Sequence, residues 1–258
     1  MARTLEPARE VLDHPVLAGR YFFPRSTPPR SRLDVDADDA VLACALHRAD
    51  PDGHTLVHFH GNGEVVADWQ GGFDAAVNRM GWDLLLAEYR GYGSSTGEPQ
   101  LGRMLDDVGP VLRVAGPPDE LVVFGRSVGS LFALEAVARC PGVAGLVLES
   151  AIADPLERLL LRLDPRELGV DAATFAAAVA ARLDHRAKIG AYRGPVLILH
   201  SRHDGLVDVS HAERLAAWAG GPVTLRVFEE GDHNSILATN AAAYLEAVEA
   251  FLAARRRR

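Results

Sequence analysis

The sequence is poor in cysteine and has no excess of basic charge. Its 258 residues include two cysteines, Cys44 and Cys140, whose positions give no disulfide framework. We interpret both as reduced, which is usual for a protein kept inside the cell. The formal net charge of −8 argues against a nucleic-acid partner, because binding phosphates requires a basic face.

Long apolar segments are also absent. No apolar run reaches the ~18 residues that a membrane-spanning helix needs, and residues 1–7 lack the apolar centre of a signal peptide. We therefore expect a cytoplasmic protein without stable membrane insertion. The four arginines at 255–258 are interpreted as a solvated helix end that suits the helix dipole, with contact to anionic lipid as the alternative. The oligomeric state stays open.

The composition, 48% hydrophobic and 24% charged, is typical of one soluble α/β domain over residues 1–258. Predicted strands alternate with predicted helices, which indicates a mostly parallel central sheet with helices on both faces. The predicted helices include residues 64–80, residues 101–114, a helix after Ser130 and a C-terminal helix, and a turn is predicted at residues 50–53. The predicted strands are an edge strand at the end of an N-terminal arm, then residues 40–47, 55–60, 82–89, 121–124, 143–148, 195–200 and 223–228.

Two segments stand outside this alternation. Residues 1–38 are rich in proline and arginine and predict the N-terminal arm. Residues 152–193 are too long for an ordinary connection between strand and helix, so they predict a small helical lid whose helices begin at the capping residues Asp154 and Asp171. An apolar stripe in this lid faces either the substrate or the body of the protein. Its members are Leu156, Leu159, Leu160 and Leu163.

The most informative motif is G-x-S-x-G at residues 125–129, between a predicted strand and a predicted helix. A serine on so tight a turn has a strained backbone, and the glycines let the two elements approach closely. The motif predicts that Ser127 is a nucleophile, although Gly/Ser turns also occur without function. It is not a phosphate-binding P-loop, since the required lysine is missing.

A nucleophilic serine needs a base and an acid that orients the base. The strand over residues 195–200 is followed by Asp204 and Asp208, and we favour Asp204 because it lies nearer the strand end. His233 follows the last predicted strand and precedes the C-terminal helix. The chain order Ser127, Asp204, His233 is that of the α/β-hydrolase triad.

The reaction also needs two N–H groups to stabilise the oxyanion. One is expected from Val128, the residue after the nucleophile. The other is expected from Asn62, in the loop after the strand over residues 55–60, with Gly63 as the alternative.

These motifs together resemble those of serine α/β-hydrolases, and more narrowly of small-lidded, esterase- or thioesterase-like hydrolase-domain proteins. The resemblance covers residues of about 40 to 254 and rests on H-G-N-G at 60–63, Y-R-G-Y-G at 89–93 and G-R-S-V-G at 125–129. Three departures concern subfamily and substrate and leave the triad intact. They are Glu88 where aspartate is usual, Asp208 where proline is usual, and Gly63-Glu64 where Ala-Gly is commoner.

The resemblance implies an α/β-hydrolase fold and a serine hydrolase that cleaves a small-molecule ester or thioester through an acyl-enzyme, with no cofactor. A peptidase or amidase of the same fold and a non-catalytic scaffold are the alternatives. His58 and His60 spell H-x-H, but the Asp-His pair that a metallo-β-lactamase pattern needs next is absent, so no metal site is expected. Arg90, Arg126 and Glu149 are expected to pair beneath the site, with binding of a substrate carboxylate as the alternative for either arginine.

Overall fold

The computed structural model describes residues 2–49 and 53–255, so most of the predicted turn at 50–53 and of the arginine tail at 255–258 lies outside the described residues. Eight strands among the described residues form one sheet in the order β1-β2-β4-β3-β5-β6-β7-β8. The β1–β2 and β2–β4 pairs are antiparallel, and the other pairs are parallel. The strands are β1 (Leu33–Ala37), β2 (Ala40–His47), β3 (Thr55–Phe59), β4 (Asp83–Ala87), β5 (Leu121–Arg126), β6 (Gly145–Glu149), β7 (Val196–Ser201) and β8 (Val223–Phe228).

Helices cover both faces of the sheet. None of them, within the described part of the chain, combines the length and the apolar character that crossing a bilayer would demand. Short 3-10 helices lie at Pro118–Glu120 and Pro165–Leu168. The α-helices are α1 (Ala2–Leu12), α2 (Pro15–Tyr21), α3 (Val66–Trp69), α4 (Phe73–Arg79), α5 (Leu101–Ala115), α6 (Gly129–Arg139), α7 (Pro155–Leu160), α8 (Ala172–Leu183), α9 (His185–Ala191), α10 (Ser210–Trp218), α11 (Ile236–Thr239) and α12 (Ala241–Ala253).

The central strands are buried on both sides, because successive side chains point to opposite faces. Val57 and Val123 belong to one apolar core with α5 and α6. Leu56 and Val122 belong to a second core with α4 and α12. The structure thus confirms the predicted fold class, a mostly parallel sheet between helical layers.

Two predicted elements differ from the structure. The single helix predicted over residues 64–80 was wrong: α3 and α4 are separated at Gln70–Gly72, where Gly71 has φ +96°, a left-handed conformation that a helix cannot continue through. The N-terminal arm ends in the edge strand β1 as predicted, but it also contains α1 and α2. These helices are anchored by Leu12 and Leu17, which are fully buried.

The insertion between β6 and β7 contains α7, the second 3-10 helix, α8 and α9. As predicted, Asp154 caps α7 by accepting from the Glu157 N–H, and Asp171 caps α8. The leucine stripe packs on the body of the protein, since Leu159 and Leu163 join the first core. Leu160, by contrast, is 45% exposed. Helix α1 lies against both α8 and α5, so the N-terminal arm covers part of the insertion.

The turn between β5 and α6 depends on close approach to the end of β3. A Cβ added at Gly129 would lie 2.1 Å from the Phe59 carbonyl oxygen, and one at Gly125 would lie 2.6 Å from the Ala133 Cβ. Backbone atoms in a packed interior cannot move away from such a contact without distorting their neighbours. Glycine is therefore required at position 129.

We predict that Gly129→Ala lowers the free energy of unfolding by about 2–4 kcal/mol, as overpacking of a core does at its upper range. Urea unfolding followed by circular dichroism measures this change. The control is Gly109→Ala in α5, where the nearest atom to an added Cβ is 3.7 Å away. That variant should gain up to ~1 kcal/mol from helix propensity, and equal effects at the two positions would contradict the prediction.

Candidate active site

Ser127 lies on the sharp turn between β5 and α6, at the carboxyl edge of the sheet. Its φ is +52°, a left-handed conformation that is costly for a residue with a Cβ. The turn is held by the Ser127 N–H, which donates to the Glu149 carbonyl oxygen at 2.8 Å. Ser127 is 9% exposed, and its hydroxyl opens on a cavity. The strain therefore serves to present the hydroxyl above the end of the sheet.

His233 contacts this hydroxyl from the loop between β8 and α11. Its Nε2 lies 2.9 Å from the Ser127 Oγ, and its Nδ1 lies 2.7 Å from the Asp204 Oδ2. His233 is buried, with 5% of the residue exposed. Three side chains that are distant in the sequence thus form one hydrogen-bonded chain from hydroxyl to imidazole to carboxylate. In this geometry the imidazole can accept the serine proton while the carboxylate fixes its tautomer.

Asp204 is held in place by backbone groups of its own loop. Its Oδ1 accepts hydrogen bonds from the N–H groups of Leu206 at 2.9 Å and Val207 at 2.8 Å. Burial acts to raise the pKa of the Asp204 carboxyl, but the hydrogen bond and charge of His233 and these two N–H groups outweigh it, so the pKa is lowered. The carboxylate is therefore both oriented and kept ionised.

Asp208, the other acid left open by the sequence, points elsewhere. Its Oδ1 accepts from the Ser210 N–H at 3.0 Å, where α10 begins. Asp208 is exposed, and the structure gives it no hydrogen bond to His233. Of the two candidates, the structure brings Asp204 to the imidazole.

The two N–H groups expected to face an oxyanion lie on either side of Ser127. Asn62 and Val128 both line the cavity that Ser127 opens on, whereas Gly63 does not. Among the described residues, neither the Asn62 N–H nor the Val128 N–H donates to a protein acceptor. Both are thus available to an oxygen atom in the cavity.

The side chain of Asn62 fastens its loop to the N-terminal arm. Its Oδ1 accepts from the Phe23 N–H and from the Tyr92 hydroxyl, each at 3.0 Å, and its Nδ2 donates to the Tyr21 carbonyl oxygen. Because the side-chain amide of Asn62 makes all three hydrogen bonds, the side chain holds the Asn62 backbone in one orientation. Asparagine at this position therefore has a structural reason that the motif alone does not give.

Arg126 joins the loops that carry the site. Its Nε donates to the Glu149 Oε1 at 3.0 Å, and its Nη2 donates to the His233 carbonyl oxygen at 2.8 Å. Its Nη1 forms an ion pair with Glu64. The predicted pairing of Arg126 with Glu149 is thus present. The guanidinium thus connects the turn between β5 and α6, the loop that carries His233 and the segment after β3.

The two acids that bind Arg126 are themselves satisfied. Glu149 also accepts from the Tyr244 hydroxyl. Burial raises the pKa of Glu149, and the Arg126 charge and the Tyr244 hydrogen bond offset part of this rise. The Glu64 Oε2 accepts from the Gly61 N–H at 2.8 Å, so the ion pair extends to the loop that carries Asn62.

The remaining polar residues singled out in the sequence lie away from Ser127. Arg90 pairs with Asp107 and Asp39 and not with Glu149. The His60 Nε2 is 2.7 Å from the Glu88 Oε1, and His58 packs against the rings of Trp69, Phe73 and Phe124. Within the described ranges, no cluster of histidine, cysteine, aspartate and glutamate has the arrangement of a metal site.

The cavity at Ser127 has a volume of about 260 Å³ and walls from segments that sequence reasoning did not include in the site. Tyr21 and Phe23 come from the N-terminal arm, and Arg158 and Arg162 come from the insertion. The sequence offers one signal for Tyr21 and Phe23, because residues 21–23 form an apolar triplet in an arm that is otherwise rich in proline and arginine. In the insertion the apolar pattern marks only the leucines, and no local pattern marks Arg158 and Arg162 as residues of the cavity.

A family model described as the alpha/beta hydrolase fold matches residues 54–186 of the chain. The chain therefore belongs to the alpha/beta hydrolase fold family. It is 24% identical to the uncharacterized protein YfhR of Escherichia coli K12 over 221 residues, which cover 83% of this chain and 68% of that protein. It is also 24% identical to the human alpha/beta hydrolase domain-containing protein 17B over 201 residues, 76% of this chain and 66% of that protein.

Solved structures share the fold at lower identity. Est1E from Butyrivibrio proteoclasticus, solved with ferulic acid bound, superimposes with a TM-score of 0.71 at 20% identity, covering 86% of this chain and 98% of that one. The esterase Pf2001 of Pyrococcus furiosus gives a TM-score of 0.69 at 15% identity, covering 89% and 98%. Together with the family match, these likenesses agree with the sheet order and the layers described above.

The lowered pKa of Asp204 predicts how stability depends on pH. A carboxyl whose pKa is lower in the folded state stabilises the protein above its unfolded pKa of about 3.9, and this stabilisation is lost as the pH falls through the folded pKa. Asp204→Asn should therefore lower the free energy of unfolding by roughly 1–3 kcal/mol near neutral pH, because hydrogen bonds to a charged carboxylate are replaced by hydrogen bonds to a neutral amide. The loss should be smaller in acid, where the wild-type carboxyl is protonated.

Urea unfolding of both proteins at a series of pH values measures the difference. Asp36→Asn, which removes an exposed carboxyl of β1, serves as the control and should give a small difference throughout. A difference between wild type and Asp204→Asn that stays constant down to a pH of about 3 would contradict the argument.

Proposed function

We propose that the protein is a serine hydrolase that cleaves a carboxylic ester or thioester through an acyl-enzyme. The observation that carries the proposal is the hydrogen-bonded chain Ser127–His233–Asp204, of which Ser127 and His233 line a cavity. Membership of the alpha/beta hydrolase fold family supports it. Pf2001 of Pyrococcus furiosus, which shares the fold, is an esterase, but an identity of 15% bears on the fold alone.

In the first half of the reaction, the Ser127 Oγ attacks the carbonyl carbon and His233 accepts its proton at Nε2. The carbonyl oxygen becomes negatively charged and accepts hydrogen bonds from the N–H groups of Asn62 and Val128. The imidazolium is stabilised by Asp204. It then gives its proton to the leaving alkoxide or thiolate, which departs as alcohol or thiol and leaves Ser127 acylated.

In the second half, a water molecule attacks the acyl carbon and gives its proton to His233. The new tetrahedral intermediate uses the same two N–H groups. Its collapse releases the acid, and His233 returns the proton to the Ser127 oxygen. The three side chains and the two N–H groups take part in both halves. In this proposal residues 1–258 act as one catalytic domain, with residues 152–193 as its lid.

Ser127→Ala tests the nucleophile. We expect kcat on a short-chain p-nitrophenyl ester to fall by roughly 10⁴–10⁶ because the acyl-enzyme cannot form. A fluorophosphonate probe should label the wild type and Ser210→Ala but not Ser127→Ala, with unfolding curves showing that all three fold. Undiminished turnover in Ser127→Ala would refute the assignment, and a folded wild type that takes no label would favour a non-catalytic scaffold.

Asp204→Asn and Asp208→Asn form a matched pair that tests the acid. Because an asparagine at 204 would stabilise the wrong tautomer of His233, kcat should fall by roughly 10⁴. The same change at exposed Asp208 should alter kcat by no more than a few-fold. Steady-state kinetics on the same ester measures both, and a larger loss at 208 would reverse the assignment. A parallel assay on aminoacyl anilides compares esterase with amidase or peptidase activity.

A further inference from the structure

The cavity above Ser127 is basic in a chain that is acidic as a whole. The formal charge of the chain is −8, yet the lining of the cavity includes three arginines and no aspartate or glutamate. These are Arg126, Arg158 and Arg162. A concave site lined by one sign of charge concentrates ligands of the opposite sign. The contrast with the rest of the surface indicates that the basic lining relates to what the cavity binds.

The charge available to a ligand comes from two of these arginines. Arg126 is neutralised by its ion pairs with Glu64 and Glu149. Arg158 and Arg162 form no ion pair with any carboxylate in the described residues, although Arg166, further along the same insertion, pairs with Asp164. Two positive charges thus face the cavity without a counter-charge from the protein.

The two free arginines lie together on one side of the cavity. They are four residues apart, at the end of α7 and in the turn that follows it. Like charges at this spacing destabilise a helical segment. The Arg162 guanidinium is 5.2 Å from the centre of the Phe23 ring, which holds it beside the N-terminal arm. An anion between the arginines would relieve their repulsion.

Tyr21 adds a neutral donor next to the arginines. Burial raises the pKa of its hydroxyl to about 12, and the charges of Arg158 and Arg162 act against this rise. The hydroxyl therefore stays protonated at neutral pH. Tyr21 is a lining residue of the cavity, and the charges of Arg158 and Arg162 act on its hydroxyl, so a bound anion can receive a hydrogen bond from this hydroxyl as well as from the guanidinium groups.

The size of the cavity limits the rest of the ligand. Pockets for drug-sized ligands usually measure about 300–1,000 Å³. The cavity at Ser127 has a volume of about 260 Å³, and the exposed Leu206 is one of its lining residues. A cavity of this size suits a short substrate.

We propose that the substrate is a short ester or thioester carrying an anionic group, a carboxylate or phosphate, which binds to Arg158, Arg162 and Tyr21 while the carbonyl carbon lies at Ser127. This inference rests on the proposed serine-hydrolase function and adds the substrate class. Guanidinium groups bind carboxylate and phosphate through paired hydrogen bonds, which gives orientation as well as affinity. The arginines thus act as specificity residues, and the triad performs the chemistry.

Two matched pairs of esters test the proposal and distinguish the side of the ester that carries the charge. Monomethyl glutarate and methyl 5-methylhexanoate differ by a carboxylate on the acyl side. O-butanoylglycolate and isobutyl butanoate differ by a carboxylate on the alcohol side. Hydrolysis is followed by titration of the acid released. In at least one pair, the wild-type kcat/KM for the anionic ester should exceed that for the neutral ester by about 10-fold. This factor is the one expected from hydrogen bonds to a charged group that solvent partly screens.

The arginine variants identify the source of that preference. Arg158→Gln and Arg162→Gln should each lower the ratio of anionic to neutral kcat/KM by about 3-fold, so that together they remove the ~10-fold preference, and Arg158→Lys should lower it by less, because lysine keeps the charge. Arg166→Gln, outside the cavity on the same insertion, should leave the ratio unchanged. Inorganic phosphate and glutarate, compared as competitive inhibitors, distinguish the two anion chemistries.

Two results would overturn the inference. If fluorophosphonate labels Ser127 but the wild type prefers the neutral ester in both pairs, or keeps its anionic preference in the double variant Arg158→Gln/Arg162→Gln, the arginine site is refuted and the hydrolase assignment stands. If no ester is hydrolysed and Ser127 takes no label in the folded protein, the hydrolase proposal and this inference fall together.

Discussion

The contact between the end of β3 and the start of α6 is the constraint on which the site depends. Gly129 lies directly against the Phe59 carbonyl oxygen, and only the absence of a Cβ on Gly129 makes this contact possible. This approach allows the turn to close with Ser127 at φ +52°. It also brings Val128 beside the loop that carries Asn62. Arg126 then fixes the histidine loop to the same turn. One close backbone packing thus positions Ser127, the N–H groups of Asn62 and Val128 and, through an ion-pair network, the imidazole of His233.

Much of this arrangement could be predicted from the sequence, because it follows from the topology of parallel sheets. Residues that follow parallel strands meet at one edge of the sheet, so the sequence predicts that Ser127, Asp204 and His233 lie close together. The choice between Asp204 and Asp208 was less certain. It depends on how the loop after β7 folds back, and the two N–H groups that hold Asp204 lie within that loop.

Other features depend on tertiary packing that no local pattern encodes. The stripe at Leu159 and Leu163 indicated an apolar helix face but not which neighbour that face would contact, and it packs on the body of the protein. The opposite side of the helix, with Arg158, faces the cavity. Similarly, proline and arginine in the N-terminal arm concealed α2, whose last residue, Tyr21, lines the site.

The walls of the cavity and its floor come from different parts of the fold. Ser127, Asp204 and His233 lie on loops directly after strands of the rigid sheet, whereas Tyr21 and Arg162 lie on segments outside it. Substitutions in the arm and the insertion can therefore change the shape and charge of the cavity while Ser127, Asp204 and His233 keep their alignment. In the proposed hydrolase, this division gives evolution, or an engineer, two nearly independent means of adjustment, one for selectivity and one for turnover.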